Sequence, residues 1–484
     1  MTTARFDYGA DPLPVGDLGA VHVIGIGGAG MSAVARLALQ AGCVVSGSDA
    51  RDSAVLAALS EAGARVSIGH DARNIAGADT VVISSAVRED NVELVAARAA
   101  GRRVLHRSQA LAAIAAGRRS VAIAGANGKT TTTAMLTVAL QYAGAEPSFA
   151  IGGELAATGA NAALGTGETM VIEADESDGS FLAYRPDVAI VTNVQPDHLD
   201  FYGTFEAVQE AYLAFAESIR PGGLLVACAD DDGSARLARR IADTGGVAEG
   251  RGEVRRIRVV TYGTDETADV RLRTLRSEGM HAQAVLTSAG REHELRLAVP
   301  GEHNLRNATA AFIAATHGCG AEQDAVIAGL ASYTGTRRRF EPKGEAGGVT
   351  IIDDYAHNPG KVAAVVATAR RLAGAGRLVV VFQPHLYSRT RDFAQALASG
   401  IEPADVAVVL DVYAAREDPM PGVTGELVAR HLRGPEVHYV SDRTTAAVTI
   451  AQLTKPGDLL LTVGAGDVTE IGPAVLELLG AIAP

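Results

Sequence analysis

Ser120-Val121-Ala122-Ile123-Ala124-Gly125-Ala126-Asn127-Gly128-Lys129-Thr130-Thr131-Thr132-Thr133 decides how the middle of this chain folds. The apolar run 120–123 reads as a buried strand, and Ala134-Met135-Leu136-Thr137-Val138-Ala139-Leu140 reads as a helix. The turn between them is rich in glycine, so backbone N–H groups can close on phosphate oxygens at a helix N-terminus. In such a cradle Lys129 reaches the β- and γ-phosphates, and the Thr130 hydroxyl holds Mg²⁺. The loop is shorter than the common G-x-x-x-x-G-K-[ST] form, because Ile stands at position 123. A bare Gly-Lys-Thr is often only a polar turn. Strand and helix on either side make this one a nucleotide loop, with ATP as the expected ligand.

The alternation of strands and helices continues in both directions. Upstream, strands are expected at 20–24, 44–49 and 80–85, with Ala- and Leu-rich helices between them. Downstream, they are expected at 169–173, 188–193, 223–227 and 257–260, then as edge hairpins over 270–297, followed by helices at 304–316 and 324–332. A third series lies at 349–353, 377–382, 406–410 and 459–463. The polar, Gly-rich piece Thr244 to Glu253 reads as an exposed loop. At 484 residues the chain should form about three domains on a prior of ~150 residues each. The expected fold is α/β in three domains: Rossmann-like over 1–117, a P-loop ATPase-type α/β domain over 118–334, and Rossmann-like α/β over 335–484.

Composition narrows the function classes. A net charge of −13 argues against a nucleic-acid partner, and the patch Arg337-Arg338-Arg339 is too small to change that. Met1 to Leu18 carries Asp7, Asp11 and Asp17 without an apolar centre, so it does not read as a signal peptide. No run of about 18 uncharged apolar residues suggests a membrane span. Cys43, Cys228 and Cys319 are few and widely spaced, which fits a reducing cytoplasm.

Several segments carry polar chemistry at strand ends. Gly25-Ile26-Gly27-Gly28-Ala29-Gly30-Met31-Ser32 is a G-x-G-x-x-G turn after a strand, and Asp49 ends the next strand. Alone, this suggests a dinucleotide site and an oxidoreductase, although the same geometry holds any diphosphate, including that of a UDP-sugar. Glu173-Ala174-Asp175-Glu176-Ser177-Asp178 places four acids in six residues, which repel one another unless a cation is near. Mg²⁺ with phosphate and water is one such cation. His198, in Asp197-His198-Leu199-Asp200, could take a second ion. Asn304 is either an N-cap or a group for a base edge. Arg339 is either part of a basic linker or a γ-phosphate clamp acting on domain closure. Asp353-Asp354-Tyr355-Ala356-His357 and Gln383-Pro384-His385-Leu386-Tyr387-Ser388-Arg389 follow buried strands, and two such segments at adjacent strand ends suit capture of a small zwitterion.

Together these segments, with Gly301-Glu302-His303-Asn304 and Arg338-Arg339-Phe340-Glu341, resemble the Mur ligases over nearly the whole chain and in the same order. These ATP-dependent enzymes add amino acids to UDP-N-acetylmuramate during peptidoglycan synthesis. The Gly-Gly-Ala-Gly-Met-Ser turn is most similar to the branch that adds L-alanine through an acyl phosphate. The resemblance implies that UDP-sugar is held by His22, Gly27, Gly28, Gly30, Met31, Ser32, Asp49, Ser85 and Arg107. It implies ATP at Gly125, Ala126, Asn127, Gly128, Lys129, Thr130, Thr131, Asn304, Arg339 and Asp354. Two Mg²⁺ ions, replaceable by Mn²⁺, are implied at Thr130, Glu173 and His198. L-Alanine is implied at Tyr355, His357, His385 and Arg389, with Lys129, His198 and Arg339 as catalytic groups. A cytoplasmic monomer or homodimer acting on UDP-N-acetylmuramate, L-alanine and ATP is the corresponding expectation. Three departures stand out. Ala126-Asn127 replaces the family's Thr-His, Leu386 replaces an Arg, and no Lys lies between Leu199 and Arg220. The last fits the L-alanine branch, because sister ligases carbamylate a Lys there.

Overall fold

The computed structural model of the protein describes residues 6–244, 248–249, 253–254, 256–415 and 417–482. Its strands form sheets of five, ten and six, with one separate two-stranded pair. In the first sheet β1 (Val21–Ile24), β2 (Val45–Asp49), β3 (Arg65–Ile68), β4 (Thr80–Ile83) and β5 (Arg103–His106) run parallel in the order β3-β2-β1-β4-β5. β1 and β4 are buried at every position, as strands covered on both faces should be. The edges β3 and β5 go unseen in the sequence because each opens on an exposed arginine and carries only a short apolar stretch. Strand order reverses between β1 and β4, and ligands of α/β sheets bind in the crevice outside such a reversal. The glycine turn after β1 occupies that place and leads into α1 (Ala29–Gln40). Helices α2 (Ala54–Glu61), α3 (Val92–Ala99) and α4 (Arg107–Ala115) complete this layer.

The second sheet takes β6 (Arg119–Ala124), β7 (Ser148–Ala150), β8 (Ala162–Ala163), β9 (Thr169–Glu173), β10 (Val188–Val191) and β11 (Leu224–Cys228). The short β12 (Ala248–Glu249) and β13 (Glu253–Val254) pair only with each other, and the rest of the polar segment 244–253 lies largely outside the described residues. β14 (Arg258–Gly263), β15 (Val270–Glu278), β16 (His281–Ser288) and β17 (Arg291–Leu297) finish the sheet in the order β17-β16-β15-β14-β11-β10-β6-β9-β7-β8. β16 and β17 are antiparallel, the edge hairpin that their alternation suggests. β6 lies between β9 and β10, with Ile123 opposite Glu173 and Ala124 opposite Val191. The three strand ends are therefore level, and α5 (Lys129–Tyr142) starts just beyond them.

The third sheet has β18 (Glu341–Ala346), β19 (Val349–Asp354), β20 (Leu378–Phe382), β21 (Val406–Leu410), β22 (Glu436–Val440) and β23 (Leu459–Val463) in the order β18-β19-β23-β20-β21-β22. β19 and β20 are thus not neighbours. β23 runs between them, with Asp354 and Phe382 both opposite Val463. The expected adjacency fails because the chain returns through the sheet centre with its last strand, which spacing in sequence does not show.

The chain divides into two compact units. One holds the first two sheets, and the other holds 335–484 with 278–280. Within the first unit a single apolar cluster runs from Val34 and Leu37 of α1 through Ile114 of α4 to Phe181 and Tyr212 of the second layer. No helix among the described residues is long and apolar enough to cross a membrane. Cys43, Cys228 and Cys319 are free thiols.

Candidate active site

The loop between β6 and α5 is held by the end of β10. Asn127 N–H donates to Asn193 Oδ1 at 2.9 Å, and the Thr192 hydroxyl and the Asn193 amide both donate to Asn127 O. Asn127 Nδ2 reaches Gln195 Oε1 at 3.2 Å, so this departure from the family pattern ties the loop to the strand end. Gly128 caps α5 at φ 87°, and a Cβ there would fall 2.6 Å from Asn307 Oδ1. Only glycine satisfies both the left-handed backbone and that approach. Asn304, in the first turn of the helix Glu302–Ile313, is not its N-cap. Gly301 is, and the Asn304 amide donates to Pro300 O and accepts from Asn307. Asn307, the second amide of this helix opening, therefore backs the loop.

Lys129 is the first residue of α5. Its ammonium donates to Gly125 O at 2.7 Å and to Glu176 Oε1 at 2.8 Å, with both side chains nearly enclosed. Burial pushes the Glu176 carboxyl up while Lys129 opposes it; burial works against the Lys129 charge, but Glu176 holds it above the ordinary lysine value. The pair is ionic. Thr130 donates to Glu173 Oε1 at 2.9 Å, and Glu173 Oε2 accepts from Gly152 N–H at 2.7 Å. Hard oxygens from Thr130 and Glu173 beside a phosphate loop fit Mg²⁺, which keeps water and phosphate as its other ligands. His198 turns toward Glu176 rather than Glu173, with Nε2 3.7 Å from Oε1. Among the described residues no three His, Cys, Asp or Glu side chains gather as a cage for a metal.

The four acids of 173–178 separate in a way that the sequence did not reveal. Glu173 and Glu176 face the phosphate loop. Asp175 instead accepts from Arg107 Nη2 at 2.7 Å, while Asp178 accepts from Ser85 Oγ and lies 3.4 Å from His106 Nε2. Burial opposes the charge on both aspartates. Arg107 nevertheless holds Asp175 below the usual carboxylate range, and His106 does the same for Asp178. The cations that their mutual repulsion demanded are thus partly Lys129 and Arg107.

At the N-terminal turn, the first helical bond runs from Ser32 N–H to Gly28 O, which leaves the amides of Ala29, Gly30 and Met31 at the helix mouth. Gly27 N–H donates to Asp49 Oδ2 at 2.9 Å, so Asp49 braces the turn. Met31 packs into the core, and the Ser32 hydroxyl donates to Ala29 O. Arg107 lies against Gly30: a Cβ there would fall 2.8 Å from Nη1. His22 is elsewhere. It is fully buried, with Nδ1 2.9 Å from Ser46 Oγ and Nε2 3.6 Å from Glu93. Glu93 is equally buried and also accepts from Ser48 and Asn74, a network behind β1 and β2.

In the second unit Asp354 is absorbed by backbone. Oδ2 accepts from Phe340 N–H and Oδ1 from Ala356 N–H, both at 2.8 Å. Arg338, not singled out by itself in the sequence, donates to Gly464 O and Gly466 O at the end of β23. The Arg338 and Arg339 guanidinium carbons stand 4.9 and 5.3 Å from the Tyr355 ring centre. Four rings then follow in a row, Tyr355, His357, His385 and Tyr413, with centroids 5.2, 5.6 and 6.0 Å apart. Tyr413, also missed, reaches the row because β21 ends beside β20. His357 Nδ1 lies 2.9 Å from Tyr355 O, which only accepts, so Nδ1 carries the proton and Nε2 a lone pair. Burial lowers the His357 pKa to about 3, and Arg389 adds to the effect, so the ring is neutral at pH 7. Arg389 Nη1 stands 3.4 Å from His385 Nδ1. Leu386 is buried at φ 69°, heading the helix that carries Arg389.

Three family models match in succession. They are the Mur ligase family catalytic domain over 20–119, the Mur ligase middle domain over 123–315 and the Mur ligase glutamate ligase domain over 338–466. UDP-N-acetylmuramate–L-alanine ligase of Kineococcus radiotolerans is 56% identical, over 96% of this chain and 97% of its own. The protein of the same name from Saccharopolyspora erythraea is 52% identical, over 94% and 92%. Among solved structures, UDP-N-acetylmuramate-alanine ligase of Thermotoga maritima superposes with a TM-score of 0.79 at 28% identity, covering 96% of this chain and all of that one.

Proposed function

This chain belongs to the Mur ligase family, and from that premise we propose that it joins L-alanine to the lactoyl carboxylate of UDP-N-acetylmuramate at the expense of ATP. The carboxylate oxygen attacks the γ-phosphorus, the bond to the β,γ-bridging oxygen breaks, and ADP leaves. The alanine amine then attacks the carbonyl carbon of the acyl phosphate; phosphate departs and the amine loses a proton. The observation that carries this reading is that one segment, 173–178, holds both Lys129 of the phosphate loop and Arg107 beside the N-terminal glycine turn. Two anionic substrates are thereby served within one compact unit.

Phosphoryl transfer of this kind depends on positioning and charge neutralisation. Lys129 neutralises charge on the β- and γ-phosphates, and the amides of the loop orient them. Thr130 and Glu173 hold a Mg²⁺ ion, which supplies positive charge to the phosphate oxygens when bound. His198, next to Glu176, is the group for a second ion. We assign the alanine site to the row Tyr355, His357, His385 and Arg389. There the His357 Nε2 lone pair accepts a hydrogen bond from the alanine nitrogen and Arg389 pairs with the carboxylate. A nicotinamide oxidoreductase leaves Lys129 and the whole second unit without a purpose.

The test is phosphate release. It should require UDP-N-acetylmuramate, ATP and L-alanine together, and release that ignores either of the first two overturns the reading. His357→Ala and Arg389→Ala should each raise the KM for L-alanine about tenfold, the loss of one charge-assisted hydrogen bond from a ligand with few contacts. The ATP dissociation constant should stay at the parent value. Weakened ATP binding with an unchanged alanine KM would put these residues in another site.

A further inference from the structure

We infer that Asp175 and Asp178, supplied by the central sheet, are positioning residues for the UDP-sugar site on the N-terminal sheet, acting through Arg107 and Ser85. The inference rests on the reading of that site given above. Arg107 is the first residue of α4, half-buried, with its two terminal nitrogens differently employed. Nη2 donates to Asp175 Oδ2 at 2.7 Å, whereas Nη1 lies 2.8 Å from where a Cβ on Gly30 would stand, at the mouth of α1. A guanidinium is planar and its donors are fixed in a fork, so holding one nitrogen sets the direction of the other. Asp175 is itself fixed, because Oδ1 accepts from Ser177 N–H at 3.1 Å.

Asp178 repeats the arrangement one turn of the segment later. One oxygen accepts from Ser180 N–H at 3.1 Å, and the other takes the Ser85 hydroxyl with His106 beside it. His106 is fully buried and caps α4, so the end of β5 and the start of α4 are held by the same carboxylate. The acids therefore divide by spacing. The pair 173 and 176 serves the phosphate loop, and the pair 175 and 178 serves the N-terminal site. Arg107 leaves its Nη1 edge for an anion at the helix mouth while its charge is already balanced from behind. Such balance preorganises the donor before the substrate arrives.

Calorimetric titration of UDP-N-acetylmuramate into the full chain tests this. Asn is isosteric with Asp and keeps the backbone acceptor, so Asp175→Asn and Asp178→Asn should melt near the parent temperature. Asp175→Asn should weaken UDP-N-acetylmuramate binding about tenfold and leave ATP binding within about threefold. Combined with Arg107→Ala, it should add nothing to the loss that Arg107→Ala causes alone, since it acts through that side chain. Asp178→Asn should weaken the same ligand and lose its effect in a Ser85→Ala background. Parent-like binding by both variants overturns the inference. Additive losses do so as well, and so does tighter binding, which would make the aspartates competitors of the ligand. If the parent chain itself does not bind UDP-N-acetylmuramate, the reading of the site fails first, a result separate from these.

Discussion

Lys129→Ala is expected to lower turnover by about three orders of magnitude, the scale of removing one preorganised charge from a phosphoryl-transfer site. The same substitution should also cost stability, and the reason is specific to this chain. The ammonium is enclosed between Gly125 O and Glu176, and Glu176 Oε2 is buried without a hydrogen-bond partner. Removing the lysine leaves that carboxylate buried and uncompensated, a loss of about 3–5 kcal/mol when nothing rearranges. Burial already pushes the Glu176 carboxyl up, and without the lysine it can take a proton instead, so the lower end of that range is expected. Lys129→Ala combined with Glu176→Gln should then recover most of the melting temperature and none of the turnover. The two readouts separate the structural from the chemical use of one side chain. Normal turnover in a folded Lys129→Ala chain would remove the phosphate-loop assignment altogether.

The sequence was most informative where apolar runs are long enough to cross a sheet buried on both faces. β6, β10, β11, β20, β21 and β23 are such runs, and each is fully or almost fully buried. β18, Glu-Pro-Lys-Gly-Glu-Ala, has no such signal. It is an edge strand with no fully buried position, and it exists because β19 offers it a ladder. Motif reading likewise found the glycine turns, Lys129, Thr130 and Glu173, because those features depend on local spacing. It could not find which acid meets which cation. Glu176 lies 47 residues from Lys129 and Asp175 lies 68 from Arg107, so only the fold brings them together. The repulsion among four acids in six residues was a real clue that cations were near, but it pointed to metal alone. Arg338 and Gly464–Gly466 were hidden for the same reason: their contact requires β23 to run beside β19.

Glu173→Ala is expected to cut the rate about a hundredfold at a Mg²⁺ concentration that saturates the parent, because the ion loses the carboxylate that accepts from Thr130. Calorimetry should show weaker binding of MgATP with little change for ATP in the presence of chelator. A second variant separates the charge of Glu173 from its hydrogen bonds. Glu173 accepts from both Thr130 Oγ1 and Gly152 N–H, and these contacts alone could explain a damaged loop. Glu173→Gln keeps an acceptor for one of the two and forfeits the other, a loss on the order of 1 kcal/mol. If the residue only props the loop, Gln should therefore retain activity within about tenfold. If it holds the ion, Gln should fail nearly as completely as Ala, because a neutral amide is a much poorer ligand for a hard dication than a carboxylate. Raising the metal concentration should then restore part of the rate in both variants. A Gln variant whose Mg²⁺ titration overlays that of the parent would take Glu173 out of the metal site and leave it the structural task of joining α5 to the end of β9.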